Sequence, residues 1–199
     1  MTQMAQMTRI PSRCYTQYFN GHVLNINTPE YTEWFVTNLE RFTDRRIKAT
    51  YPLYRLDTVN TTSFHHYIDE KPQTVLVARL TNGQTIAGYS EPPFKPQTNI
   101  DYREGYMFAF RNRKIFTLKK QPTSKTNKII PKPITYDEYY IIWGNSDIRI
   151  RSGNKEIYSN YSTAGCSYEE KGNPNAMVSD LFLQQERDAV VEDYELFEI

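Results

Sequence analysis

The sequence predicts an α+β protein, an antiparallel β-sandwich of two sheets flanked by a few helices. Three observations carry that expectation. Short runs rich in β-branched and aromatic residues recur along the chain, parted by Gly, Pro and Asn turn signals, so strands follow strands instead of alternating with helices. Asn82-Gly83 separates QTVLVARL from QTIAGYS, which is the signature of a hairpin. A strongly amphipathic segment, TPEYTEWFVTNLERF, stands ahead of nearly all the strand-like runs. The domain reading is an extended N-terminal arm over residues 1–27 followed by one domain over residues 28–199.

The arm is rich in Met, Thr and Gln. Its apolar residues, from Met1, Met4 and Met7 to Tyr15, Tyr18 and Phe19, follow no period. Such a segment offsets its ordering entropy only by lying on a surface, and a neighbouring protein is the expected surface for the first ten residues. In the amphipathic segment Thr28 can cap and Pro29 suits the first helical position. Tyr31, Trp34, Phe35, Leu39 and Phe42 then share one face, expected to be buried on the same domain.

After a basic turn, Thr50 to Leu56 form a short apolar run, and TTSFHHYID can begin a second helix. Gln73 to Leu80 and QTIAGYS are the two arms of the hairpin, for which a type I′ turn is expected at Asn82-Gly83. A Pro-rich loop leads to GYMFAF and KIFTLKK, a strand pair around Asn112. PTSKTNKIIPKPI is a basic connection, YYIIWG and DIRIRSG turn at Gly144-Asn145, and a tyrosine-rich segment is broken by Gly165. AVVEDYELFEI closes the chain as an alternating strand.

Composition restricts the classes. Sixteen Tyr and ten Phe in 199 residues supply enough buried aromatic area for a core despite an apolar fraction of 39%. The net charge of +1 gives no global field toward nucleic acid or membrane. Cys14 and Cys166 can form at most one bridge and read as reduced thiols. No run approaches the length of a spanning helix, and no apolar signal segment is present. These features suggest a cytoplasmic location. The alternatives are a cilium or axoneme and a mitochondrion, the latter because residues 1–29 lack Asp and Glu and carry Arg9 and Arg13.

The candidate chemistry begins with FHHYIDEK. His65 and His66 are adjacent, so on a helix their side chains diverge by about 100° and do not readily share a metal. His22 is far away in sequence, and there is no HExxH or GxSxG. No metal, no cofactor, no catalytic residue and no small-molecule substrate are therefore expected. Charge is unevenly laid out instead. From Gly105 to Tyr136 there are eight Lys or Arg and no acid, while Glu186 to Ile199 hold six acids and one base. Either run can be a plain solvated face. The functional alternative places docking to an acidic protein partner at Arg111, Arg113, Lys114, Lys119 and Lys120, within a basic stretch spanning 111–132. Nucleic acid is the weaker variant, since no RNP or KH pattern accompanies the cations.

The order of the segments resembles the TLDc domain, the module of oxidation-resistance proteins. Leu53, Tyr54 and Arg55 stand where that family has its Leu-Tyr segment, and Phe64-His65 where it has Phe-His. Thr74 to Val77, Gly88-Tyr89, Pro93-Phe94, and Met107, Phe108 and Phe110 follow the family's strand, hairpin and next strand. Gly144 with Asp147-Ile148, the segment Tyr158 to Tyr168, and Glu195 with Phe197 complete the series. Departures mark a diverged member: Ala87 replaces the first glycine of the hairpin pair, Trp143 interrupts the glycine-rich turn, and Ile68-Asp69 stand near the family's cysteine. The resemblance implies a non-enzymatic protein-interaction module linked to oxidative-stress resistance and to binding of the vacuolar proton pump. A structural subunit of a large multiprotein complex, such as a ciliary (axoneme) microtubule lattice or a mitochondrial assembly, is the second reading. An enzyme with an acid–base site is the third.

Overall fold

The computed structural model describes Phe19, residues 21–25, 29–48, 50–55, Tyr67, Lys71, and residues 73–90, 105–118, 134–136, 140–143, 148–151, 156–158, 168–171 and 188–199. Two helices and eleven strands lie within these residues: α1 His22–Asn25, α2 Pro29–Thr43, β1 Pro52–Arg55, β2 Thr74–Leu80, β3 Thr85–Ser90, β4 Gly105–Ala109, β5 Lys114–Leu118, β6 Ile134–Tyr136, β7 Tyr140–Trp143, β8 Ile148–Arg151, β9 Glu156–Tyr158, β10 Tyr168–Glu170 and β11 Asp188–Glu198. The described residues are thus mostly antiparallel sheet with one substantial helix. Among the described residues no helix is long and apolar enough to cross a membrane.

The strands follow the order β10-β5-β4-β3-β2-β11-β9-β8-β7-β6, with β1 also on β11. Strand β11 joins the two halves of this path. Its first residues, Asp188 to Val190, pair with β9. From Val191 onward it pairs with β2, with a register irregularity between Val191 and Asp193. Its end pairs with β1, Arg55 opposite Glu195 and Pro52 opposite Phe197. One long strand therefore holds the front, middle and back of the chain in a single hydrogen-bonded frame.

The β2–β3 hairpin forms where it was expected, but the turn differs. Leu80 N donates to Gln84 O at 2.8 Å and Gly83 N donates to Leu80 O at 2.9 Å. Gly83 has φ 79°, while Asn82 is not among the residues with positive φ. This is a three-residue loop with Gly83 alone in the left-handed region, not the two-residue type I′ turn, which needs positive φ at both positions. The reason is local: the Asn82 Oδ1 accepts a hydrogen bond from Gln84 N at 3.0 Å, folding the side chain over the next peptide.

Helix α2 lies on one face of the central strands. Thr32, Phe35, Val36 and Leu39 are buried, and Tyr31, Trp34 and Phe42 are partly covered against the same core. The facing sheet residues are Val75, Val77, Ala87, Tyr89, Tyr106 and Phe108. Phe35 meets Phe108 edge-on at 5.0 Å, Trp34 meets Phe110 at 5.9 Å, and Phe42 stacks on Tyr106 at 4.4 Å. The opposite face of these strands is covered as well. Leu76, Ala78, Leu80, Met107 and Leu196 are all buried, so β2 is nearly a continuous apolar run, as expected for a strand enclosed on both sides.

The arm expected over residues 1–27 is not extended at its C-terminal end. Residues 22–25 form α1, and Phe19 and Val23 belong to the core. Phe19 packs edge-on against Phe197 at 5.0 Å and pairs with Thr50 in an isolated parallel bridge. The first ten residues lie outside the described part of the chain.

Candidate functional site

The predicted partner-binding residues fall into distinct environments. Arg111, Arg113 and Lys114 sit at the turn between β4 and β5. Phe110 O accepts a hydrogen bond from Arg113 N at 3.0 Å, and Arg113 adopts φ 50° to close the turn. Its guanidinium lies 3.5 Å from the Glu30 carboxylate and 5.5 Å above the Tyr31 ring, so it ties the turn to the start of α2. Lys114 Nζ reaches Glu170 Oε1 on β10 at 2.7 Å. Arg111 is exposed and makes no ion pair among the described residues. Lys119 and Lys120 lie outside the described residues, as do His65, His66, Cys14 and Cys166. The structure therefore brings three of the five candidates together and commits two of those to internal partners.

A second basic feature, read in the sequence only as a basic turn, is built where α2 ends. Asp44 follows the last helical residue with φ 51°, and Arg45 N donates back to Glu40 O at 3.3 Å. That is the hydrogen-bond pattern of a Schellman stop. The Glu40 side chain continues the restraint, since its Oε1 accepts from Ile47 N at 3.0 Å. Ile47 is then buried in the core. Anchoring Ile47 between Arg46 and Lys48 leaves both neighbours exposed.

These residues border an open cavity of about 590 Å³, lined by Thr43, Arg45, Arg46, Ile47, Lys48, Thr50, Gln73, Glu198 and Ile199. Arg45 is aligned by a 2.8 Å hydrogen bond from Nη1 to Gln73 Oε1. Glu198 is held by Lys71 at 2.9 Å. Arg46 and Lys48 have no acidic partner among the described residues. The spacing of three cations in four residues just past a helix end was the available sequence signal, and its ordinary explanation is a favourable interaction with the helix C-terminus.

Among the described residues, the most enclosed carboxylate belongs to Glu195, which is 1% exposed. Its two oxygens accept hydrogen bonds from His22 N at 2.8 Å and Val23 N at 2.9 Å. Arg55 Nε stands 3.7 Å away. With its oxygens engaged by α1, Glu195 acts as a clasp between the front of the chain and its last strand. A Cβ on Gly21 would collide with Glu195 Oε2 and the Phe197 ring, so the backbone must be bare there. Among the described residues, no group of three or more His, Cys, Asp or Glu could hold a metal ion.

The chain matches no protein-family model, and no curated protein matches it either.

Proposed function

We propose that this chain is a non-enzymatic protein-interaction module of the kind its resemblance to the TLDc family implies, docking an acidic partner through the β4–β5 turn and the basic run after it. The observation that carries this reading is the environment of that turn. Arg113 and Lys114 are paired with Glu30 and Glu170, which leaves Arg111 as the exposed cation of the turn without an ion pair among the described residues. An exposed cation without an internal partner is open to an acidic one. Burial of Tyr54, Tyr89, Phe108 and Phe197 supports reading most of the family-like positions as architecture, with no reaction assigned to them. Burial of β2 on both faces supports the two-sheet sandwich, with a second layer opposite α2. The proposed compartment is the cytoplasm.

The test is affinity capture of the full chain at native concentration, followed by mass spectrometry. Salt-sensitive recovery of a stoichiometric acidic partner, such as a proton-pump subunit, supports the module. Retention in one salt-resistant particle identifies a permanent structural subunit instead. Turnover of a small substrate by the purified chain would replace both with an enzyme.

A further inference from the structure

We propose that the cavity at the C-terminal end of α2 is a binding site for a small, multiply charged phosphate ligand of the polyphosphate class. Its volume of about 590 Å³ lies within the usual range for small-molecule sites. Among the described residues, Arg45, Arg46 and Lys48 contribute three cationic side chains to the lining, against one acidic side chain, Glu198. That acid is engaged by Lys71. Glu40 is not among the lining residues, and its Oε1 accepts from Ile47 N. Asp44 is turned into the left-handed region and is absent from the lining.

Two further features define the ligand. Thr50 lines the cavity at 9% exposure, and its Oγ1 is buried with no hydrogen-bond partner among the described residues. A buried hydroxyl beside a cationic wall is a donor that no protein acceptor uses. Guanidinium groups match phosphate oxygens in a two-pronged geometry, and Lys48 adds a compact charge. Among the described residues the lining holds no aromatic ring, only Ile47 and Ile199 as large apolar surfaces, so none of them would stack on a nucleobase. This selects for the phosphate chain over a nucleoside. The cavity is also much larger than one phosphate, which favours a ligand with several charged groups.

The site is independent of the β4–β5 turn and is tested with a probe of its own. Sodium tripolyphosphate is titrated into the full chain by calorimetry at about 0.15 M salt, where distant surface charges are largely screened. Inorganic monophosphate, and a short poly-glutamate peptide as the acidic-peptide arm, serve as comparisons. Saturable one-to-one binding of tripolyphosphate is expected, at least about tenfold tighter than monophosphate. The Arg46→Gln/Lys48→Gln variant, altered at two exposed positions, should bind about tenfold more weakly. Thr50→Val should weaken binding about threefold without lowering the melting midpoint, because the hydroxyl it removes has no protein partner. Arg111→Gln should bind like the parent. No saturable binding, affinity unchanged in the Arg46/Lys48 variant, or preferential binding of poly-glutamate would each overturn the proposal. Should a variant unfold, the parent's thermal shift with tripolyphosphate against monophosphate decides the same question.

Discussion

Gly21 and Gly83 show how differently one residue type serves the fold. Gly83 is needed only for its φ of 79°, since a Cβ there would meet nothing within 4 Å. Gly83→Ala should therefore cost about 1 kcal/mol, the left-handed penalty alone. Gly21→Ala must push a Cβ into the Glu195 carboxylate and the Phe197 ring, both held in place. It should cost about 1–3 kcal/mol as overpacking and should also expose the amides of α1 to hydrogen exchange. Urea unfolding of the two variants, with exchange at residues 22 and 23, checks the contrast. Equal losses, or no gain in exchange at α1, would remove the clasp assigned to Glu195. Gly83 could be read from Asn82-Gly83, although the turn type could not, because it depends on the Asn82 side chain returning to Gln84 N. Gly21 could not be read at all. Its constraint comes from residues more than 170 positions away.

Among the elements, α2 was the most readable. Its period named Phe35 and Leu39 as core residues, and both are buried; it also named Trp34, which is only half covered. Thr32 was missed because its burial follows from position on the helix face and not from hydrophobicity. Phe35→Ala should cost about 3–5 kcal/mol, as for a filled core site. Trp34→Ala should cost roughly half as much, because part of that ring already faces water. Chemical denaturation ranks them, and a larger loss at Trp34 would mean that α2 is rotated about its axis. Helix α1 escaped the sequence reading. Four residues are too few for a period, and their helical turn depends on Glu195. The basic cavity escaped for a related reason. Its cations are adjacent in sequence, but Gln73 and Glu198 join them only through the sheet.

Across the whole molecule, the front and back of the chain are mutually dependent. Phe19, α1, β1 and β11 share contacts, so the expected division between an arm and a domain does not fall at a break in packing. The alternation of AVVEDYELFEI announced a strand, but not that it would bond to β9, β2 and β1 in turn. Pairing partners depend on chain topology, which local patterns do not encode. The same limit applies to charge. The basic run was visible in sequence, whereas the commitment of Arg113 to Glu30 and of Lys114 to Glu170 was not.

That division of the basic run leads to the most direct test of the proposed function. The Arg111→Glu/Lys119→Glu/Lys120→Glu variant reverses three of the proposed docking charges and leaves the braced Arg113 and Lys114 in place. Quantitative capture of the partner should be compared with the parent chain, alongside thermal unfolding of both. The expected result is partner recovery reduced at least about tenfold, with charge reversal adding repulsion to lost attraction, and an essentially unchanged melting midpoint. Full recovery of the partner by the folded variant would contradict docking through this surface.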